Sequence, residues 1–288
     1  PLRSNNGFPT GLLTGFMNFV AGIGKDFKTD YIVFALDAKG TTFRNELFEN
    51  YKAQRPDVPE DLLVQLPVAI SWVEKMGFKI AIRTGYEADD MVASIAKDAK
   101  EKGFEVRIVS HDKDLYQLID DANSVYLFDP TKKQIINEAK CIEKYGVTPK
   151  QFIDYQALVG DTADNIPGVK GVGAKTAQTL IEQFGTLENI YENIENIDKK
   201  RTKELLIEGK ENAFLSKQLV TLKDDCHFIS NIDEFSLPLE NPILKIASDL
   251  ESYDMHRIIE RVNKNGLNYK TEIKKKVEDE KIEYILLN

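Results

Sequence analysis

At 288 residues, the chain is long enough for two domains of ordinary size. Its content of 42% hydrophobic and 30% charged residues is that of a globular protein, and the absence of an apolar run near the ~18 residues of a membrane span predicts no membrane partner. A net charge of −9 excludes a generally basic nucleic-acid-binding protein, so any contact with DNA must rely on local basic patches. The two cysteines, Cys141 and Cys226, do not support a disulfide framework and indicate a reducing cytoplasm.

The first half of the chain alternates between strand-like and helix-like segments. In chain order we predict a helix after Thr10, a strand over 31–36, a helix over 59–76, a strand over 78–82, a helix from Glu87 to about Gly103, a strand over 105–110, a short helix over 113–119 and a strand over 124–128. This alternation predicts an α/β domain in which helices flank a parallel sheet.

After about Tyr145 the pattern changes to helices and turns. The predicted helices cover 149–159, 174–184, 187–194, one or two segments between 199 and 222, and 244–263 with a break near Ser252. We therefore expect an α/β domain over 1–147 and an all-α domain over 148–268. Residues 269–288 form a charge-dense linker and a strand over 282–287, which we interpret as the start of a following domain.

Carboxylates follow several of the predicted strands and gather at the start of one helix. Glu87, Asp89 and Asp90 stand in a first helical turn, where acids can also serve as simple helix stabilisers worth ~0.3–1 kcal/mol each. The other acids that follow strand-like or helical segments are Asp37, Asp112, Asp114, Asp161 and Asp164. Since ligands bind beyond the carboxyl ends of parallel strands, we expect the acids of the α/β part to converge on one rim, with the last two added from the second domain.

Eight carboxylates in one place predict bound cations. Each negative charge raises the pKa of its neighbours, so the group cannot stay ionised without compensation. Ligands that are all oxygen select hard ions, Mg²⁺ or Mn²⁺. The pattern therefore predicts a two-metal phosphoryl-transfer site, in which one ion lowers the pKa of its bound water and the pair, ~4 Å apart, stabilises the attacking and leaving oxygens.

A segment over 38–58 mixes basic and aromatic side chains. Its members are Lys39, Arg44, Lys52 and Arg55 with Phe43, Phe48 and Tyr51. Such a mixture fits a DNA strand that is held by phosphate contacts and base stacking. Taken alone, the segment is better explained as an ordinary solvated loop.

A glycine-rich hairpin over 167–177 is the second informative stretch. Closely spaced glycines let the backbone approach a phosphate, and the following helix directs free N–H groups at the anion. The hairpin is not a nucleotide-binding P-loop, because Ala174 stands where that motif requires lysine. A helix–hairpin–helix that holds a DNA backbone without reading its sequence fits better, with a plain turn as the alternative. The candidate DNA-binding residues are Gly168, Lys170, Gly171, Gly173, Lys175 and Thr176.

Four segments together, 34–39, 85–90, 112–117 and 158–177, resemble the bacterial 5′ nuclease family in order and spacing. They are most similar to the N-terminal 5′→3′ exonuclease and flap endonuclease domain that DNA polymerase I enzymes carry, over nearly the whole chain. The resemblance implies a PIN-like α/β domain followed by an all-α helix–three-turn–helix domain of the SAM-like type. It also implies a metal-dependent 5′→3′ exonuclease and structure-specific 5′-flap endonuclease that removes RNA primers and processes flaps in DNA replication and repair.

The family's functional residues transfer onto matching positions of this chain. By resemblance, Asp37, Glu87 and Asp89 hold the first metal, Asp112, Asp114 and Asp164 hold the second, and Asp90 and Asp161 act through water. Arg44, Lys52 and Arg55 lie where the family supplies cations to the scissile phosphate, and together with Asp37 they form the expected catalytic set. The hairpin at Gly168–Lys175 matches an element that holds duplex DNA, often around a K⁺ ion.

The resemblance further implies partners and one departure from the family. The expected partners are DNA with a 5′ flap or a 5′ end and covalently linked polymerase domains, with the chain a monomer at the nucleoid of a bacterial cytoplasm. An initial strand that ends in a metal-binding Asp is not found, so we expect a truncated and inactive chain as one outcome. The alternatives are a non-catalytic DNA-junction-binding module and, with little support, a Mg²⁺-dependent phosphatase for small molecules.

Overall fold

The computed structural model describes residues 2–27, 29–238, 240–265 and 283–287. The chain divides into two units that are each assembled from separate segments. The first unit contains 1–34, 56–81 and 229–285, and the second contains 35–55, 82–228 and 286–288. All eight candidate metal ligands and the glycine-rich hairpin belong to the second unit. The boundary predicted near 147 divides the chain at one point, whereas each of these units is made of several segments. The predicted boundary therefore stays a prediction.

The elements follow one another in the order that the sequence predicts, with a few additions. The α-helices are α1 (Gly11–Asp26), α2 (Phe43–Leu47), α3 (Glu60–Leu63), α4 (Leu66–Met76), α5 (Ala88–Glu101), α6 (Glu138–Tyr145), α7 (Pro149–Val159), α8 (Ala174–Phe184), α9 (Leu187–Glu192), α10 (Lys200–Glu208), α11 (Lys210–Val220), α12 (Ala247–Ser252) and α13 (His256–Asn265). The strands are β1 (Tyr31–Ala35), β2 (Lys79–Ala81), β3 (Glu105–Val109), β4 (Val125–Asp129), β5 (Gln134–Ile136) and β6 (Glu283–Leu287). Short 3₁₀ helices cover Asp114–Leu118, Asp121–Asn123, Ile194–Asn196, Ile232–Phe235 and Pro242–Ile246.

Two predictions of secondary structure are wrong. The helix predicted over 59–76 is interrupted between α3 and α4, because Pro67 favours the start of a new helix over its interior. The side chain of Gln65 at this break accepts hydrogen bonds from the backbone N–H groups of Leu12 and Leu13, which attaches α4 to α1. The segment predicted as a short helix over 113–119 is a 3₁₀ helix that ends at Leu118.

The strand β5 and the helix α6 were not predicted. Two of the three residues of β5 are exposed, so the strand has no apolar alternation that a sequence pattern could reveal. The helix α6 begins after Asn137, whose side chain accepts a hydrogen bond from the Lys140 N–H at 3.2 Å. The linker predicted over 270–281 lies outside the described residues. The strand predicted over 282–287 is confirmed as β6.

In the second unit, β3 and β4 are parallel, with Val106 opposite Val125, and β4 and β5 are antiparallel. The helix α5 packs on β3, and its apolar face is fully buried. In the first unit, β1 and β2 are neighbours. Parallel strands that are covered by helices confirm the α/β prediction for this part of the chain.

The helices α7 to α11 form the rest of the second unit. Over the described residues 147–228 no strand occurs, apart from an isolated bridge between Asp161 and Ile166. The helix α7 packs against both α8 and α11, and it carries the fully buried side chains of Phe152 and Leu158. None of the described helices is long and apolar enough to cross a membrane.

The glycine-rich hairpin is fixed by two glycines that approach each other closely. Gly160 and Gly168 have φ values of +74° and +58°, a region that side chains disfavour. A Cβ atom on Gly168 would lie 2.5 Å from the backbone nitrogen of Gly160. The N–H of Gly168 donates to the buried hydroxyl of Ser216 on α11 at 2.9 Å. Only glycine therefore fits at position 168.

We predict that Gly168→Ala destabilises the protein strongly. A left-handed backbone conformation costs about 1–2 kcal/mol for a residue with a Cβ. The overlap with the backbone adds about 1–3 kcal/mol. The measurement is the midpoint of urea unfolding, followed by circular dichroism.

Gly173→Ala is the matched control for this prediction. Gly173 lies in the same hairpin, but its φ is −96° and no atom lies within 4 Å of a Cβ built there. We expect this variant to unfold within about 0.5 kcal/mol of the unmodified chain. Equal effects of the two substitutions would show that the hairpin is not constrained as described.

Candidate active site

The first turn of α5 collects the acids of the motif Glu87 to Asp90. Glu87 is the N-cap residue, and its backbone N–H donates to Asp90 Oδ2 at 2.9 Å in a capping box. Asp37, which follows β1, accepts a hydrogen bond from the N–H of Ala88 through Oδ1 at 2.7 Å. The start of α5 therefore holds three of the predicted acids at one place, as the sequence predicts for a helix that follows a strand.

Asp89 is a partly buried carboxylate with one buried oxygen, and only the charge of Lys52 opposes those of the acids around it. Its Oδ1 atom has no hydrogen-bond partner among the described groups. Burial, followed by the negative charges of Asp112 and Asp114, raises the pKa of Asp89 well above its usual range. The carboxylates of the α5 turn and of the loop after β3 are thus close enough to repel one another.

Asp114 belongs to the same electrostatic group. Burial and the charge of Asp112 raise the pKa of Asp114 to about 6, although a hydrogen bond from Gln156 and the charge of Lys113 oppose the shift. The exposed Asp112 accepts the N–H of Asp114 through Oδ1 at 2.9 Å. The loop after β3 therefore places both predicted acids against Asp89.

The two acids that follow α7 are already paired with basic side chains. Asp161 forms an ion pair with Lys113 at 2.9 Å, and the charge of Asp161 also acts on Asp114. Asp164 is buried and accepts a hydrogen bond from Arg55 Nε at 3.0 Å. These contacts bring the segment after α7 to the same group of acids.

The basic segment over 38–58 lies against the acids. Lys52 Nζ contacts Glu87 Oε1 at 2.7 Å, and the hydroxyl of Tyr51 donates to Glu87 Oε2 at 3.0 Å. The N–H of Lys52 donates to the carbonyl of Asp164 at 2.9 Å, and the φ of Lys52 is +57°, which is unusual for a residue with a side chain. Tyr51 and Lys52 therefore contact the acids, while residues 53–55 are exposed to solvent.

The donor set fits a divalent cation, but the side chains are arranged around basic residues. Among the described residues, no three His, Cys, Asp or Glu side chains are placed to hold a metal ion as they stand. Lys52, Arg55 and Lys113 instead compensate part of the negative charge. The unpartnered oxygen of Asp89 and the raised pKa of Asp114 are the features that a hard cation would relieve.

Arg44 and Asp90 have an environment different from the one expected. Arg44 is 1% exposed and binds both carboxylate oxygens of Asp90 through Nη1 and Nη2, at 2.7 and 2.8 Å. Asp90 is fully buried, and its two oxygens also accept the N–H groups of Glu87 and Lys223. The expected exposed cation at position 44 is not present, because its guanidinium is taken up by this ion pair.

Gln156 is a site residue that sequence reasoning missed. It lies on α7, is 3% exposed, and donates from Nε2 to Asp114 Oδ1 at 2.5 Å. Its Oε1 atom has no hydrogen-bond partner among the described groups. A single glutamine within an amphipathic helix gives no sequence signal, apart from its position shortly before Asp161.

The hairpin presents its basic residues to solvent. Lys170 and Lys175 are exposed, and neither forms an ion pair with a described residue. Gly171 and Gly173 are exposed as well, while Thr176 is partly buried in the first turn of α8. Free N–H groups at the start of α8 and two nearby lysines can bind a phosphate backbone.

We predict that metal-free protein is stabilised when Asp114 is replaced by Asn. The pKa of Asp114 is raised to about 6 in the folded chain, from an ordinary value of 3.8. Between about pH 4 and 6 the folded state binds more protons than the unfolded state, so this contribution to stability falls as the pH rises through that window. At pH 7 the substitution removes a penalty of up to about 3 kcal/mol, at about 1.4 kcal/mol per pKa unit.

The measurement is thermal unfolding with a chelator present, at several pH values from 5 to 8. The control is Asp224→Asn, because Asp224 is exposed and pairs only with Lys97 on the surface. We expect Asp114→Asn alone to raise the midpoint at pH 7 and to flatten its dependence on pH. A lower midpoint for Asp114→Asn than for the unmodified chain would contradict the strain described at this carboxylate.

Models of two protein families match the chain in succession. The model described as "5'-3' exonuclease, N-terminal resolvase-like domain" matches residues 1–146. The model described as "5'-3' exonuclease, C-terminal SAM fold" matches residues 147–242. The predicted combination of an α/β nuclease domain and a SAM-like helical domain is thereby confirmed.

Curated relatives carry related names. DNA polymerase I of Helicobacter pylori is 44% identical over 259 residues, which is 88% of this chain and 28% of that protein. The 5'-3' exonuclease of Aquifex aeolicus is 36% identical over 267 residues, which is 92% of this chain and 89% of that protein. The chain thus spans little more than a quarter of the DNA polymerase I, and most of the exonuclease.

Solved structures show the same fold. The 5'-exonuclease of bacteriophage T5 with bound divalent metal ions (zinc) has a TM-score of 0.67 and 26% identity, and the match covers 90% of this chain and 93% of that one. The catalytic core of Rad2 in complex with DNA substrate has a TM-score of 0.55 at 18% identity, with 91% and 85% covered, and this likeness concerns the fold alone. Since the two models together match residues 1–242, the chain belongs to the 5′-3′ exonuclease family.

Proposed function

We propose that the chain is a metal-dependent phosphodiesterase that acts on DNA as a 5′→3′ exonuclease and a structure-specific 5′-flap endonuclease. Its place would be replication and repair, where it removes RNA primers and processes flaps. The observation that carries this proposal is the group of mutually repelling carboxylates around Asp89 and Asp114, with partly exposed cations beside it. Membership of the 5′-3′ exonuclease family and the DNA-bound structures of similar proteins support it.

The proposed cofactors are two Mg²⁺ or Mn²⁺ ions. Asp37, Glu87 and Asp89 would hold one ion, Asp112, Asp114 and Asp164 would hold the other, and Asp161 would act through water. Such ions lower the pKa of a bound water and stabilise negative charge on the phosphate oxygens when they are bound. Asp90 is left out of this set, because Arg44 and two backbone N–H groups already occupy its oxygens.

Lys52 and Arg55 are the cations proposed to act on the scissile phosphate. They contact Glu87 and Asp164, and their side chains are 25% and 52% exposed. Because these side chains keep part of their surface in water, exchanging their carboxylate partners for a phosphate costs less than it would for the buried Arg44. When ions neutralise the carboxylates, Lys52 and Arg55 are free to bind the phosphate, where they stabilise its developing charge.

The glycine-rich hairpin is proposed to hold the duplex next to the cleaved bond. Lys170 and Lys175 would bind phosphates, and the exposed backbone at Gly171 and Gly173 would let a strand approach closely. We propose that a K⁺ ion is held at Gly168–Lys175 and that binding is independent of DNA sequence. The chain would act as a monomer, linked to polymerase domains, at the nucleoid in the bacterial cytoplasm.

The proposed function is tested by cleavage of a duplex that carries a labelled 5′ flap. We expect products near the flap junction in Mn²⁺ or Mg²⁺ and none with a chelator. Asp114→Asn should lower the single-turnover rate by at least about 100-fold, since it removes a group that stabilises the transition state through the ion. Glu143→Gln serves as the control, because Glu143 is an exposed acid on α6 that pairs only with Lys140.

The assay distinguishes a nuclease from a protein that only binds DNA. Flap binding that persists with a chelator, without cleavage in either metal, would refute the nuclease function and favour a junction-binding module. Cleavage that is unaffected by Asp114→Asn would show that the reaction does not depend on the carboxylate of Asp114 and uses other groups.

A second prediction concerns the hairpin and the salt dependence of binding. Lys170→Ala and Lys175→Ala should each weaken the binding of unrelated duplex sequences equally, because phosphate contacts carry no sequence information. Each substitution should reduce the slope of log K against log salt concentration by about 1. Lys132→Ala is the control, as Lys132 is 75% exposed in the turn between β4 and β5. An unchanged slope in both hairpin variants would remove the hairpin from the interface.

A further inference from the structure

The Arg44–Asp90 pair differs from the other ion pairs of the site in its burial. Arg44 is 1% exposed and Asp90 is fully buried, whereas Lys52, Arg55 and Lys113 are all at least partly exposed. A buried ion pair is costly to break, because the remaining charge is left without water or a partner. The pair is therefore a permanent part of the structure.

Every polar group of this pair that the structure describes has a partner within the protein. Arg44 Nε donates to the carbonyl of Leu219 at 2.8 Å, and Nη2 donates to the carbonyl of Thr221 at 3.3 Å. Asp90 Oδ1 accepts the N–H of Lys223 at 2.9 Å. No oxygen of Asp90 is left for a metal-bound water, and no N–H of Arg44 faces solvent to meet a phosphate.

The pair connects the ends of two helices whose dipoles favour it. Asp90 lies in the first turn of α5, where negative charge is stabilised, and Arg44 binds the last carbonyls of α11, where positive charge is stabilised. Ser94 adds a further bond, as its hydroxyl accepts the N–H of Cys226 at 3.2 Å. The acid-bearing turn of α5 is thereby attached to the residues that end and follow α11.

We propose that Arg44 and Asp90 are positioning residues that fix the acid-bearing turn of α5 against α11 and that neither one binds metal or phosphate. The inference deepens the proposed function and rests on it only where cleavage is measured. Its consequence for the DNA-binding part is direct. The hydroxyl of Ser216 on α11 accepts the N–H of Gly168 in the hairpin. The helix α11 therefore contacts the hairpin directly and the acid-bearing turn of α5 through Arg44.

A specific effect follows when Asp90 loses its charge. Arg44 Nη1 lies 3.3 Å from Glu87 Oε2, and this is its next available anion. In Asp90→Asn, the buried guanidinium turns to Glu87 and removes that carboxylate from the metal site. If Arg44 is neutral as well, Glu87 keeps only its contacts with Lys52 and Tyr51 and stays at the metal site.

The test is a double-mutant cycle with Asp90→Asn, Arg44→Gln and the combined variant. Mn²⁺ binding is measured by calorimetry without DNA, flap affinity with a chelator, and cleavage under single-turnover conditions at saturating DNA. We expect Asp90→Asn to weaken Mn²⁺ binding by about 10- to 100-fold. The combined variant should recover to within about threefold of the unmodified chain, since removal of both charges leaves neither one unpaired.

The affinity for the flap distinguishes a positioning role of Asp90 from a general loss of folded structure. We expect flap affinity to change by less than about threefold in Asp90→Asn while the cleavage rate falls, because the hairpin lysines are untouched. Asp154→Asn is the control, as it removes an ion pair between the buried Asp154 on α7 and the partly exposed Lys217 on α11. It should lower the unfolding temperature and leave Mn²⁺ binding unchanged.

The outcomes decide the inference separately from the proposed function. If the combined variant binds Mn²⁺ as weakly as Asp90→Asn, then Asp90 is itself a ligand and the positioning role is overturned. If Asp154→Asn weakens Mn²⁺ binding equally, the effect is one of general stability and the inference also fails. If the cycle behaves as expected but the unmodified chain does not cleave the flap, the positioning role stands and the nuclease function fails.

Discussion

Repulsion between carboxylates is the constraint on which the second unit is built. Asp89 and Asp114 are partly buried next to other acids, and the pKa of each is raised by the loss of solvent and by those neighbouring charges. Two unit charges 4 Å apart interact by about 4 kcal/mol at an effective dielectric constant near 20, which is comparable with the stability of a whole domain. A fold can maintain such a cluster only if it is fixed by contacts elsewhere and if cations are close by.

The chain supplies those cations in two physically different forms. Arg44 is buried, binds its partner with two parallel hydrogen bonds, and adds backbone carbonyls as further acceptors. Lys52 and Arg55 keep part of their side chains in water, so their pairs cost less to break than the fully buried pair of Arg44. The buried pair of Arg44 stabilises the fold. The pairs of Lys52 and Arg55 can be exchanged, because a phosphate or a metal ion can replace a partly exposed pair at little cost.

The sequence was sufficient for the bounds of several helices and for the gathering of acids at the start of α5, but not for the environment of individual side chains. The helices α7 and α8 were predicted at their observed bounds, because each has clear boundary residues such as Pro149 and Gly185. Arg44 and Lys52 are both basic and both adjacent to an aromatic residue, so no local pattern shows that one is buried and the other is not. That distinction depends on the carbonyls at the end of α11, which lie about 175 positions along the chain from Arg44. Gln156 could not be recognised for the same reason, since its partner Asp114 is 42 residues away.

The spacing on α11 explains how two distant motifs act at one place. Ser216 and Leu219 are three residues apart, so their positions differ by about 4.5 Å along the helix and lie on neighbouring faces. One of them holds the hairpin through Gly168, and the other holds the acid-bearing turn through Arg44. One turn of α11 therefore connects the hairpin to the acid-bearing turn of α5, which is the link that the proposed function uses.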